Sequence, residues 1–113
     1  APEYYRAITR KMRSDKEMYY RGFRELPGFT AFPSDANFVL VRYPVSLKQT
    51  LDEGLKRQGI VVKFLNDPGL EDCMRITIGT EAQNACVMSA FKEIVGEKNA
   101  AAYVHVQAAV AKR

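Results

Sequence analysis

The sequence predicts a small α+β domain: an α/β sandwich in which a mostly antiparallel sheet of three to four strands is covered by helices, in the order α-β-β-α-β-β-α. Three observations carry this expectation. Short stretches rich in β-branched and aromatic residues (37–43, 60–65 and 74–78) alternate with longer ones whose apolar residues recur near a 3.6 period. Pro-Gly pairs and a Pro-Ser-Asp cluster mark the boundaries between them. Helices that separate turn-linked strands must each bury one face, and a shared sheet is the surface available. With 113 residues, 47% hydrophobic and 27% charged, the chain has room for one modest core.

The elements follow in order. A leading helix runs from about Glu3 to Leu26, with Tyr5, Ile8, Met12, Tyr19, Phe23 and Leu26 on its apolar face and its cations on the opposite, solvated one. Pro27-Gly28 stops it. Thr30 to Phe32 is a short extended piece, Pro33-Ser34-Asp35 a turn, and Asn37 to Tyr43 a strand that Pro44 ends. Ser46 and Gln49 have capping-box spacing before a helix with Leu47, Leu51 and Leu55 on one face, closed by Gly59. Ile60 to Leu65 is the next strand, Asn66-Asp67-Pro68-Gly69 a turn, and Met74 to Ile78 the last strand. Thr80 and Gln83 form a second capping box, and Ala85, Met88, Phe91, Ile94 and Val95 give the final helix its stripe. The domain is expected to span residues 1–96, with 1–26 as its leading helix; the Ala-rich tail 97–113 either extends the last helix or frays.

Charge and cysteine usage exclude several classes. Residues 1–24 hold seven basic side chains (Arg6, Arg10, Lys11, Arg13, Lys16, Arg21, Arg24) against three acidic ones (Glu3, Asp15, Glu17), an excess equal to the whole net charge of +4. This is a basic helix face, and no Gly-rich loop or aromatic strand motif of a nucleic-acid module accompanies it. No apolar run approaches the roughly 20 residues of a membrane span. The N-terminus reads Ala-Pro-Glu-Tyr-Tyr-Arg, with no signal peptide and no initiator Met, and reads as the start of a piece of a longer cytoplasmic protein. Cys73 and Cys86 lack a further Cys or His at ligand spacing, so both are expected as small core residues and no metal site is expected. The single His105, in the Ala-rich tail, reads as a surface residue.

One segment stands out chemically. In Cys-Met-Arg-Ile-Thr-Ile-Gly-Thr (Cys73 to Thr80), Met74, Ile76 and Ile78 alternate with Cys73, Arg75 and Thr77, so a single guanidinium sits inside an otherwise apolar strand. Fixed there, it can grip a carboxylate through two parallel hydrogen bonds. The residues alone equally allow a sheet-edge arginine paired with a surface Asp or Glu.

Phe-Pro-Ser-Asp-Ala-Asn-Phe-Val-Leu-Val-Arg (Phe32 to Arg42), Gly-Ile-Val-Val-Lys (Gly59 to Lys63) and Pro-Gly-Leu-Glu-Asp-Cys-Met-Arg-Ile-Thr-Ile-Gly-Thr (Pro68 to Thr80), followed by Asn84, together resemble the C-terminal small domain of fold type I pyridoxal-phosphate-dependent aminotransferases. The histidinol-phosphate aminotransferase branch is the most similar, and the likeness covers residues 3–96. The resemblance implies that Arg75 binds the carboxylate, or the acidic end, of the substrate. It implies that Lys63 stands where that branch has an arginine for the substrate phosphate; lysine keeps the charge but loses the bidentate fork. It implies that Asn37 is a pocket-side or backbone-pairing residue.

The resemblance also implies what lies elsewhere. In that family a lysine of the large domain carries the pyridoxal phosphate, beside an Asp and a phosphate cup, and none of these matches a segment here. The expected chain therefore contributes no catalytic residue. It serves substrate recognition within a larger transaminase of amino acid biosynthesis, one that is dimeric when complete and acts on an amino acid or a phosphorylated amino alcohol, with no nucleic acid or membrane partner. A phospho-amino-acid decarboxylase of the same fold type, and a free-standing binding or regulatory domain, are the alternatives.

Overall fold

The computed structural model describes the backbone of residues 2–111 and the side chains of residues 3–98 other than Tyr4 and Tyr5. Its elements are α1 (Pro2–Arg24), β1 (Thr30–Phe32), β2 (Phe38–Arg42), a 3-10 turn (Val45–Leu47), α2 (Lys48–Arg57), β3 (Lys63–Phe64), β4 (Cys73–Thr77) and α3 (Glu81–Ala111). This is the order expected from the sequence. The strands form one antiparallel sheet in the order β1-β2-β4-β3. The path from β2 through α2 to β3 skips one place, and β4, last in the chain, fills it.

Register sorts the two faces of the sheet. Val39 stands opposite Ile76, Val41 opposite both Met74 and Ala31, and Met74 opposite Phe64. Val39, Val41, Met74 and Ile76 are buried under Tyr19 and Phe23 of α1, Leu51 and Leu55 of α2, and Met88, Phe91, Ile94 and Val95 of α3. Phe91 meets the rings of Phe23 and Phe29 edge-on, at centroid separations of 5.1 and 6.4 Å. Burying such side chains contributes about 1.5–3 kcal/mol each, which is why three helices and four short strands can hold together. All three helices lie on this one face.

Two Pro-Gly pairs build the same turn twice. The Phe29 N–H donates to the Leu26 carbonyl at 3.2 Å and the Leu70 N–H to the Asp67 carbonyl at 2.9 Å, with Gly28 and Gly69 both at φ 82°. Proline presets the first central residue and glycine takes the positive φ of the second, the geometry of a type II turn.

Several expectations are corrected. Ser46 and Gln49 form no capping box. Pro44 instead opens the 3-10 turn, the Leu47 N–H bonds back to the Pro44 carbonyl, and Gln49 donates to Glu53. The strand expected over 60–65 pairs only at Lys63 and Phe64. The Ile60 N–H is drawn back to the Leu55 carbonyl to finish α2, and Val61 is 91% exposed. On α3 the inward phase runs through Asn84, Met88, Phe91 and Val95, which leaves Ala85 and Cys86 exposed rather than in the core; Cys73 is buried as expected. Lys16, expected on the solvated face of α1, is buried with its ammonium on the Ser34 carbonyl, while Ile8 is exposed. The backbone of the Ala-rich stretch is helical to Ala111; the side chains of Tyr5 and His105 lie outside the described residues.

Candidate functional site

The sheet face turned away from the helices carries the side chains out of phase with the core. Strand alternation places Phe32, Phe38, Leu40, Arg42, Lys63, Arg75 and Thr77 there, and each is half-buried or exposed. At its centre is Arg75. It sits on an inner strand, with Leu40 opposite on β2 and Lys63 opposite on β3. The edge-strand alternative from the sequence is therefore removed. The Arg75 guanidinium lies 5.2 Å from the centroid of the Phe38 ring, whose π face steadies a cation without neutralising it.

The ion pairs place the acidic side chains elsewhere. Asp72 binds Arg42 at 3.0 Å, Asp15 binds Lys11 at 2.8 Å, Asp52 binds Lys56 at 3.2 Å and Glu25 binds Lys92 at 2.9 Å. Among the described residues no carboxylate pairs with Arg75 or Lys63. Two cations directly opposite one another on a sheet oppose folding by a few tenths of a kcal/mol up to about 1 kcal/mol, and an anion between them reverses the sign. Such a pair can receive a negatively charged group.

Arg75 and Lys63 are thus brought together, whereas Asn37 is not. Asn37 is exposed one step out of phase with Phe38, and its carbonyl accepts the Ile78 N–H at 2.9 Å, extending the β2–β4 ladder. The turn before it is held by α1: the Lys16 ammonium donates to the Ser34 carbonyl, and the Ser34 N–H to the Tyr20 hydroxyl at 3.3 Å. Near the end of β4 a hollow of about 400 Å³ opens between Thr77, Gly79, Val61 and Val87.

A second polar cluster, unforeseen as such, fixes the link from β4 to α3. Thr80 and Gln83 form the expected reciprocal cap, with the Gln83 N–H donating to Thr80 Oγ1 at 3.1 Å and the Thr80 N–H to Gln83 Oε1 at 2.9 Å. Asn84, 1% exposed, donates through Nδ2 to the Gly79 carbonyl at 3.2 Å and accepts at Oδ1 from the Gly79 N–H at 2.9 Å and the Tyr19 hydroxyl at 3.2 Å. Its signal in the sequence was a polar residue at the inward phase of α3. Burial, with Asp15 nearby, pushes the Tyr19 phenol up to about 12, so it stays a donor. Burial, with Asp72 adjacent, also raises the Cys73 thiol, which is therefore no nucleophile near neutral pH. Among the described residues no three His, Cys, Asp or Glu side chains gather to hold a metal, and no helix is long and apolar enough to cross a membrane.

No family model matches the chain. It is 38% identical over 81 residues to histidinol-phosphate aminotransferase 2 of Nitrosococcus oceani, covering 70% of this chain and 22% of that protein. The fold superposes with a TM-score of 0.73 on the histidinol-phosphate aminotransferase of Sinorhizobium meliloti, solved in complex with pyridoxal-5'-phosphate, at 22% identity over 85% of this chain and 27% of that one. A decarboxylase from Sulfurospirillum multivorans superposes with a TM-score of 0.63 at 28% identity, covering 73% of this chain and 24% of that one. The chain thus spans about a quarter or less of the curated relative and of that decarboxylase.

Proposed function

The chain is a small domain of the aminotransferase kind, homologous to histidinol-phosphate aminotransferases, and from that premise we propose that it is the substrate-recognition part of a pyridoxal-phosphate-dependent transaminase. The reaction moves an amino group between an amino acid, or histidinol phosphate, and a 2-oxo acid. One observation carries the assignment of roles: Arg75 and Lys63 stand opposite each other on the helix-free face, with no carboxylate paired to either among the described residues. Arg75 holds the acidic end of the substrate through its fork, and Lys63 adds a point charge beside it. Asn37 fixes the neighbouring strand by its backbone. The working enzyme is a cytoplasmic homodimer whose large domain completes the site.

In this reading the large domain, not this chain, holds the cofactor, and five of the chain's lysines are engaged otherwise. Lys11, Lys56 and Lys92 are ion-paired, Lys16 is committed to a backbone carbonyl, and Lys48 lies 5.9 Å from the Phe64 ring centroid. When bound, the cofactor supplies the electron sink for the transfer. This chain binds and orients the acidic group of the substrate, and its apolar Phe38 and Leu40 shield that group from water. The 113-residue chain alone is accordingly expected to give no saturable shift of the pyridoxal phosphate absorbance band. A saturable band abolished by changing one lysine would overturn this division of labour.

The role of Lys63 is tested by substrate choice. In the complete enzyme, Lys63→Ala is expected to raise KM for histidinol phosphate roughly tenfold or more, the cost of one charge-assisted hydrogen bond, while aromatic and aliphatic amino acids change by less than about twofold. Equal losses for both substrate classes would defeat the phosphate reading. The likeness to the Sulfurospirillum decarboxylase favours a second reading, in which the same face holds a phospho-amino acid that loses its carboxyl group. Carbon dioxide release from a phospho-amino acid, without transfer of its amino group, would select it.

A further inference from the structure

Asn84 binds both polar groups of one residue. Its amide accepts from the Gly79 N–H and donates to the Gly79 carbonyl, a two-point bracket on the backbone just past the end of β4, where no ladder partner can do the same. A local clamp needs nothing more. Yet the same Oδ1 also takes the hydroxyl of Tyr19, sixty-five residues earlier in the last turns of α1, and Tyr19 is wholly buried and stacked on Phe23 at 6.2 Å. Burying an amide and a phenol in this core costs more than burying Leu and Phe of similar size, so their joint use points to geometry more than to stability. The bond joins α1 to the segment that terminates the Arg75 strand.

Neighbouring contacts also hold that junction. The Thr80–Gln83 cap fixes the start of α3, and the Ile78 N–H is held by the Asn37 carbonyl on β2. On its other side β4 has the two-residue ladder of β3, through Lys63 and Phe64, and accepts the Leu65 N–H at the Cys73 carbonyl at 3.0 Å. The Tyr19–Asn84 bond ties this junction to α1 by a directional contact, beside the apolar packing of Met74 and Ile76 in the same core as Tyr19 and Phe23. We propose that Asn84, tethered by Tyr19, is a positioning residue that aims Arg75 at its anionic ligand by fixing the end of β4 against α1. This rests on the reading of Arg75 as the residue that holds the substrate's acidic group.

The test is a cycle in the complete enzyme. Tyr19→Phe removes one hydroxyl and keeps the ring, and Asn84→Asp keeps the acceptor toward Tyr19 while losing the donor to Gly79. Each is made with Arg75 present and in the Arg75→Ala background, and glutamate serves as amino donor. With Arg75 present, Tyr19→Phe is expected to raise KM for glutamate about fivefold, the scale of one neutral hydrogen bond, with kcat within about twofold. In the Arg75→Ala background it is expected to add nothing, and Asn84→Asp should follow the same pattern. An equal rise in both backgrounds, or no rise with Arg75 present, would overturn the positioning role while leaving Arg75 as the binding residue. If Arg75→Ala by itself leaves KM unchanged, the reading of Arg75 fails first, and the positioning role falls with it.

Discussion

Arg75→Ala in the complete enzyme is expected to raise KM for an acidic substrate by a factor of roughly 30 to several thousand, corresponding to about 2–5 kcal/mol for one member of a charge-assisted pair in a desolvated site. Arg75→Lys should recover only part of this, because an ammonium cannot make the two parallel bonds of the guanidinium. Stability moves the other way. Arg75 faces Lys63 across the sheet and has no carboxylate partner among the described residues, so the Ala variant of the 113-residue chain should melt at the same temperature or slightly higher. A loss of affinity without a loss of stability marks a residue kept for its ligand. Unchanged steady-state kinetics, or a large drop in melting temperature, would return Arg75 to a structural role.

Phe91→Ala is expected to have the largest effect on folding. Its side chain is fully buried where all three helices meet the sheet, edge-on to Phe23 and Phe29. Truncating such a residue costs about 3–5 kcal/mol, because the transfer energy of the ring is lost and the surrounding rings collapse only partly into the space. Against a total stability of about 5–15 kcal/mol for a domain of this size, that removes much of the margin. A thermal melt followed by far-ultraviolet circular dichroism should shift down by roughly 12–20 °C. A shift of only a few degrees would mean that the aromatic cluster is not the centre of the core.

How much of this was legible in the sequence depends on how local the cause was. The element order was readable because each strand carries its own period-2 alternation and each Pro-Gly pair makes its own turn. The Thr80–Gln83 cap was readable for the same reason, since both partners lie within four residues. Ser46 and Gln49 had identical spacing and failed, because Pro44 opened a 3-10 turn whose Leu47 and Lys48 N–H groups bond back to the Pro44 and Val45 carbonyls, and Gln49 turned to Glu53 instead. The strand expected at 60–65 shortens to Lys63 and Phe64 because the capping of α2 takes the Ile60 N–H, a demand that residue composition does not show. Arg75 was visible as an isolated charge in an apolar strand. Its partnership with Lys63 depends on strand order, twelve residues and a turn away, and no spacing rule reports it. Lys16 departs from the solvated face because its partner is a backbone carbonyl of the β1–β2 connection, and a carbonyl has no letter in the sequence.

The sheet order has a consequence in time as well as in space. A ribosome makes β1, β2, α2 and β3 before β4, yet β2 and β3 touch only through β4. Until residues 73–77 emerge, the nascent chain holds two strands with open edges on either side of a gap, a state prone to wrong pairing and slow to resolve because the closing contacts are distant in sequence. The strand that closes the gap is also the one that brings the guanidinium. A chain cut short before residue 73 therefore has neither a completed sheet nor the Arg75 guanidinium, which is never displayed on a sheet that lacks its inner strand.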